Sequence, residues 1–199
     1  MSARLRIYLT GVGGQGTLTA TTLLSRTLLD QGLDVVSGEI HGMAQRGGVV
    51  ESTILVGGWR SPSIQHGEAD VILGFEALET LRGLPYLAPG GAVFSSTDFV
   101  PPPGVNMGRE SLPPIRDIEE HTAQLTRKSC FLPLQELGRQ AGSVQSGNTA
   151  LLGAFCASGL LPVGVDALAK GIRSYLPPKI VDVNLRALEL GASAIGQCI

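Results

Sequence analysis

Leu5-Arg6-Ile7-Tyr8-Leu9-Thr10 leads directly into Gly11-Val12-Gly13-Gly14-Gln15-Gly16, and then into Thr17-Leu18-Thr19-Ala20. The apolar Leu5, Ile7 and Leu9 alternate with Arg6, Tyr8 and Thr10, the period of a strand. Ala20, Leu24 and Leu28 recur every fourth residue, which predicts a helix from about Thr17 to Gln31 with Gly32 capping its C-terminus. Between the two, Gly11, Gly13 and Gly16 satisfy G-x-G-x-x-G. Such a turn lets a ligand approach the backbone closely, and the free N–H groups at the start of the helix attract an anion. Strand, glycine turn and helix in this order open a Rossmann-like half.

The pattern continues outward from there. Strands are predicted at Leu33 to Val36, Val49 to Val56, Asp70 to Phe75 and Ala92 to Ser95, with a short helix from Glu76 to Arg82. Asp70 to Phe75 is a continuous apolar run after its first residue, as expected of a strand buried on both faces. Val100 to Pro114 carries five prolines and is read as an irregular excursion. A helix from about Ile115 to Lys128 and a strand at Ser129 to Leu132 follow. Leu134 to Gln140, Gly147 to Ser158, Val165 to Tyr175 and Lys179 to Ala194 then read as consecutive helices. The expected fold is α/β: three layers, α/β/α, with a mostly parallel Rossmann-like sheet and a helical C-terminal third. One domain is expected over residues 1–199.

Composition limits the function. Net charge is −2, and the 15 Lys and Arg residues form no stripe, which argues against nucleic acid. No apolar run approaches membrane-spanning length and no signal-peptide core follows Met1, so a cytoplasmic protein is expected. Charged residues make up only 16% of the chain, a thin coat that suits a surface covered by a partner or a compact Gly- and Ala-rich domain. Cys130, Cys156 and Cys198 are too few and too widely spaced for a disulfide framework, a zinc site or an iron–sulfur cluster. They read as small apolar fillers, which leaves any cluster chemistry to another chain.

Two segments carry candidate function. In the glycine turn, Gly11, Gly13, Gly14 and Gly16 expose backbone, and the Gln15 amide both donates and accepts. A dinucleotide site also needs an acid about 20 residues on, for which Glu39 is the candidate. The second segment is Glu39-Ile40-His41-Gly42-Met43-Ala44-Gln45-Arg46-Gly47-Gly48, read as a polar loop. So many glycines cost backbone entropy, which a chain accepts where special dihedrals or close approach are needed. His41 offers a proton or a hydrogen bond, Met43 an apolar anchor, Gln45 an amide, and Arg46 a bidentate grip on phosphate or carboxylate.

These residues also carry a resemblance. The run from Gly11 to Ala20, the Glu39 to Gly48 string, Gly67-Glu68-Ala69-Asp70, Leu84 to Gly91 and Gly147-Asn148-Thr149-Ala150-Leu151-Leu152-Gly153-Ala154 resemble, in order and spacing, the gamma-type domain of the 2-oxoacid:ferredoxin oxidoreductases. Within that group they are most similar to the small subunit of the indolepyruvate type. The resemblance implies a non-autonomous subunit, inactive alone. Its enzyme would oxidatively decarboxylate a 2-oxoacid to an acyl-CoA while reducing ferredoxin. Thiamine diphosphate, Mg²⁺ and iron–sulfur clusters would sit on a large alpha subunit, coenzyme A would be co-substrate, and this chain would hold none of the cofactors alone. The cofactor-contacting residues would then be Gly11, Gly13, Gly14, Gln15, Gly16, Glu39, His41, Met43, Gln45, Arg46 and Gly47. No catalytic or metal residue is expected on this chain. Two rivals stay open: a free-standing NAD(P)-binding enzyme and a stand-alone binding or regulatory module.

Overall fold

A computed structural model describes residues 4–41 and 48–198. The order is β1 (Leu5–Val12), α1 (Thr17–Asp30), β2 (Val35–His41), β3 (Val49–Val56), β4 (Ala69–Gly74), α2 (Ala77–Gly83), β5 (Leu87–Ser96), α3 (Pro103–Asn106), α4 (Ile115–Leu125), β6 (Ser129–Leu132), α5 (Leu134–Ala141), α6 (Gly147–Ala157), α7 (Val165–Tyr175) and α8 (Pro178–Ala194). The strands form a single six-stranded sheet in the order β2-β3-β1-β4-β5-β6. The expected α/β architecture is present, with a mostly parallel sheet and a helical last third.

One strand runs against the others. β3 pairs antiparallel with both β1 and β2, while β1–β4, β4–β5 and β5–β6 are parallel. A parallel return needs a crossover of a dozen residues or more. Only residues 42–48 separate β2 from β3, so the two close as a hairpin, and β3 inserts between β2 and β1. β2 therefore points the same way as β1, and both end at the same edge of the sheet.

The hairpin also corrects an expected boundary. The second strand is not Leu33 to Val36 but runs on to His41, because Glu39 pairs with Ser52 and His41 with Val50. Glu39 and His41 are thus strand residues and not loop residues. Gly38 lies inside the strand too, where a Cβ would meet Pro62 Cβ at 2.7 Å. Met43, Gln45, Arg46 and Gly47 lie outside the described residues.

Two cores flank the sheet. On one face, Ile7, Leu9 and Ile54 pack with Leu24 and Leu28 of α1 and with Leu151 and Phe155 of α6. On the other, Tyr8, Leu55, Ile72 and Val93 pack with Leu84, Ile64 and Trp59. α6 is buried nearly all round, as an apolar helix between sheet and outer helices must be. The Pro-rich excursion contains the one-turn α3.

The cysteines need a further correction. Cys130 on β6 and Cys198 beyond α8 are joined in a disulfide, with Cα atoms 4.8 Å apart. Sequence spacing hid this, because the partners are 68 residues apart. Cys156 is the buried filler expected of it, and burial pushes its thiol up to about 12.

Candidate functional site

β1 ends at Val12, and the chain turns through Gly13 to Gly16 into α1. Gly14 and Gly16 have φ of 90° and 85°, values that a side chain would strain. The turn is held from three sides. Gln15 N–H bonds back to Val12 C=O at 3.2 Å, and Gly13 N–H donates to Gly48 C=O at 2.8 Å. From across the domain, Asn148 Nδ2 donates to Gln15 C=O at 2.7 Å. Gly16 supplies no side chain to cap α1, so the first-turn N–H groups keep their pull on an anion.

A cavity of about 240 Å³ opens beside this turn. Gly14, Gln15 and Thr19 line one wall, and Ser146, Asn148 and Asn184 line the other. Asn184 is 8% exposed and oriented by two bonds, accepting from Thr149 Oγ1 at 2.6 Å and donating to Ile180 C=O at 2.7 Å. Gln15 Oε1 and Thr17 Oγ1 are buried and, among the described residues, have no hydrogen-bond partner. Buried polar atoms are nearly always satisfied, and Gln15, which lines the cavity, fits a polar group brought by a ligand or partner, whereas Thr17 Oγ1 faces Gly11 behind the turn.

The first wall was legible in the sequence. The second, from the start of α6 and the middle of α8, was not assigned any role there. Its one signal was Asn148 at the opening of an otherwise apolar helix. Gly11 lies behind the turn: a Cβ there would meet Thr17 Oγ1 at 2.5 Å and Phe75 Cβ at 3.2 Å, so its smallness serves packing. Glu39 is not on the strand next to β1, but it lines a cavity of its own with Leu18, Thr19 and Thr22 at the start of α1. β3 stands between β2 and β1, so the acid sits two strands away, roughly 10 Å at normal strand spacing. The end of β2 that carries His41 is at the same sheet edge as the turn, and the Gly13–Gly48 bond joins the turn to the segment entering β3.

Among the described residues no group of three or more His, Cys, Asp and Glu comes together in a way that could hold a metal ion. No helix among them is long and apolar enough to cross a membrane.

This architecture, a mixed sheet with a glycine turn and a helical C-terminal third, is shared with the gamma subunits of oxoacid ferredoxin oxidoreductases. The family profile of pyruvate ferredoxin/flavodoxin oxidoreductases matches residues 6–194, and the chain belongs to that family. Among named relatives it is similar to the indolepyruvate oxidoreductase subunit IorB of Archaeoglobus fulgidus, 37% identical over 188 residues covering 94% of each chain. It is 38% identical to IorB of Thermococcus kodakarensis, again over 94% of each. Among solved structures, the gamma subunit of a Geobacter sulfurreducens keto/oxoacid ferredoxin oxidoreductase shares the fold with a TM-score of 0.72 at 21% identity, over 98% of both chains. A 2-oxoglutarate:ferredoxin oxidoreductase from Magnetococcus marinus, solved with coenzyme A and succinyl-CoA bound, contains the fold within 32% of its length, at 17% identity and a TM-score of 0.73.

Proposed function

We propose that this chain is the small subunit of a cytoplasmic, thiamine-dependent indolepyruvate:ferredoxin oxidoreductase, folded as a single gamma-type domain over residues 1–199. A large subunit supplies thiamine diphosphate, Mg²⁺ and the iron–sulfur clusters. The assembled enzyme converts an arylpyruvate and coenzyme A to an acyl-CoA and carbon dioxide, passing electrons to ferredoxin. This chain contributes a binding edge. The start of α1 with Gly13, Gly14, Gln15 and Gly16 receives a phosphate of coenzyme A, and Gly11 supports the turn from behind. Glu39, His41, Met43, Gln45, Arg46 and Gly47 supply the remaining contacts to coenzyme A or to the large subunit.

The observation that supports this reading best is the bond from Gly13 N–H to Gly48 C=O, which ties the glycine turn to the residue that leads into β3. The orphaned Gln15 Oε1 fits a polar ligand beside the turn.

The test is co-expression with the large subunit of the same organism's oxidoreductase. The complex is expected to be brown and to reduce ferredoxin with indolepyruvate only when coenzyme A is present. The purified small chain is expected to be colourless and inactive. Thiamine-dependent turnover by this chain alone, or failure of the two chains to co-purify, overturns the proposal.

A further inference from the structure

On the sheet face opposite α1, the β1–β3–β2 register sets Thr10 beside Glu51 and Ile40, and Tyr8 beside Thr53 and Gly38. The 57–67 connection crosses above them. Its Pro62 packs on Gly38, and Thr53 Oγ1 donates to Pro62 C=O at 2.7 Å. Under this strap lies a second cavity of about 290 Å³, whose walls include Tyr8, Glu51, Ile64, Gln65 and Tyr86, with Ile40 at its edge. Tyr8 and Tyr86 stack with ring centroids 4.3 Å apart and give it an aromatic side.

The cavity is lined by a carboxylate, Glu51. Glu51 is half-buried and accepts a hydrogen bond from the Tyr8 phenol, whose proton is held on first by burial and then by this carboxylate. Among the described residues no Lys or Arg forms an ion pair with Glu51. Glu79 of α2 adds to the same field. It is 4% exposed, helps after burial and Glu51 to hold the proton on Tyr8, and its Oε2 has no hydrogen-bond partner among the described residues. Its other oxygen is taken by Arg82 at 2.6 Å, so that cation is already engaged. At the cavity's edge Ile40 is 67% exposed, a large apolar side chain in a strand of the sheet.

An aromatic wall, a carboxylate with no cation beside it among the described residues and an exposed aliphatic rim match the pocket in which an interface anchor residue sits. We infer that this cavity is a docking point for the large subunit, receiving an arginine or lysine side chain of that partner onto Glu51 while Ile40 packs against the surrounding surface. The inference rests on the proposed function, because it takes the partner to be the large subunit. Charge complementarity selects the occupant, and the exposed Ile40 favours a macromolecule over a small cation, which would leave that side chain in water.

The experiment measures the affinity of this chain for the co-expressed large subunit by biolayer interferometry at low and high salt. Glu51→Gln is expected to weaken assembly by about tenfold or more, mostly through faster dissociation. The free Glu51→Gln chain is expected to melt no lower than the native one, since the change also relieves the field on Glu79. Ile40→Ser is expected to weaken assembly, and Glu68→Gln, a half-exposed acid paired with Arg6, to leave it unchanged. Unchanged assembly for Glu51→Gln overturns the inference while leaving the proposed function standing. Failure of the native chain to assemble at all overturns the proposed function instead. Two other results also count against the inference. In one, Arg46→Ala abolishes the effect of Glu51→Gln, which gives the carboxylate to an arginine of this same chain. In the other, arginine amide binds the free chain through Glu51 with no effect on assembly, which makes the occupant a small cation.

Discussion

Asn148 is the side chain on which the candidate site closes, since its bond to Gln15 C=O is what fastens α6 to the glycine turn. Replacing it with alanine is expected to cost about 1 kcal/mol of stability, the net worth of one partly buried hydrogen bond. Denaturant melts of the free chain measure this. Asn148→Asp is expected to be worse, because a carboxylate would face both a carbonyl oxygen and a cavity that favours anions. In the complex it is expected to raise the Michaelis constant for coenzyme A more than Asn148→Ala does; equal values for the two would remove the anion argument. Glu79 gives a pH signature. Burial holds its carboxyl above the ordinary carboxylate range, against the pull of Arg82. The folded state then binds the proton more tightly than the unfolded chain does. Stability falls as pH rises from the unfolded value of roughly 4.3 through the higher folded one, and stays lower above it. Glu79→Gln removes this loss. The melting temperature of the variant relative to native is therefore expected to be more favourable at pH 7 than at pH 4, and a difference that moves the other way counts against the desolvation account.

Among the elements, the pairing of α6 with α8 depends on small residues. A Cβ on Gly191 would overlap the backbone of Ala150, and one on Gly153 would overlap Leu188 C=O, so the two helices approach at a separation that only glycine permits. Gly191→Ala is expected to destabilise the chain by about 1–3 kcal/mol, the usual range for overpacking a well-packed core. Moving α8 also moves Asn184, which lines the candidate cavity. Calorimetry should therefore show the loss of stability, and in the complex coenzyme A affinity should fall with it. A Gly191→Ala chain with unchanged melting temperature would mean the helices can part freely.

For the molecule as a whole, the Cys130–Cys198 bond joins the end of the chain to the far edge strand of the sheet and closes a loop with a sequence separation of 68 residues. By chain entropy such a crosslink stabilises the oxidised form by at most roughly 4 kcal/mol. Scanning calorimetry with and without dithiothreitol is expected to show a lower melting temperature on reduction. Cys198→Ser is expected to melt like the reduced native chain and to lose its response to the reductant. A native chain that melts identically in both conditions would show that the crosslink adds nothing in solution.

Local physics was readable from the chain alone. Apolar spacing located α1, α7 and β6 to within a residue, and the glycine turn stood out because G-x-G-x-x-G between strand and helix is a short-range pattern. The mostly parallel three-layer architecture followed from the alternation of the elements. Pairing was decided by the tertiary structure. The insertion of an antiparallel β3 extended β2 over Glu39 and His41, put Glu39 two strands from β1, and set Glu51 near Tyr8. The second wall of the candidate site and the Cys130–Cys198 bond were equally hidden. Asn148 lies 133 residues from Gln15, and no periodicity within a strand or helix reports a contact made across such a distance. Sequence pattern records which face of an element is apolar; which other element covers that face depends on how strands and helices pack, and that is settled only when the chain folds.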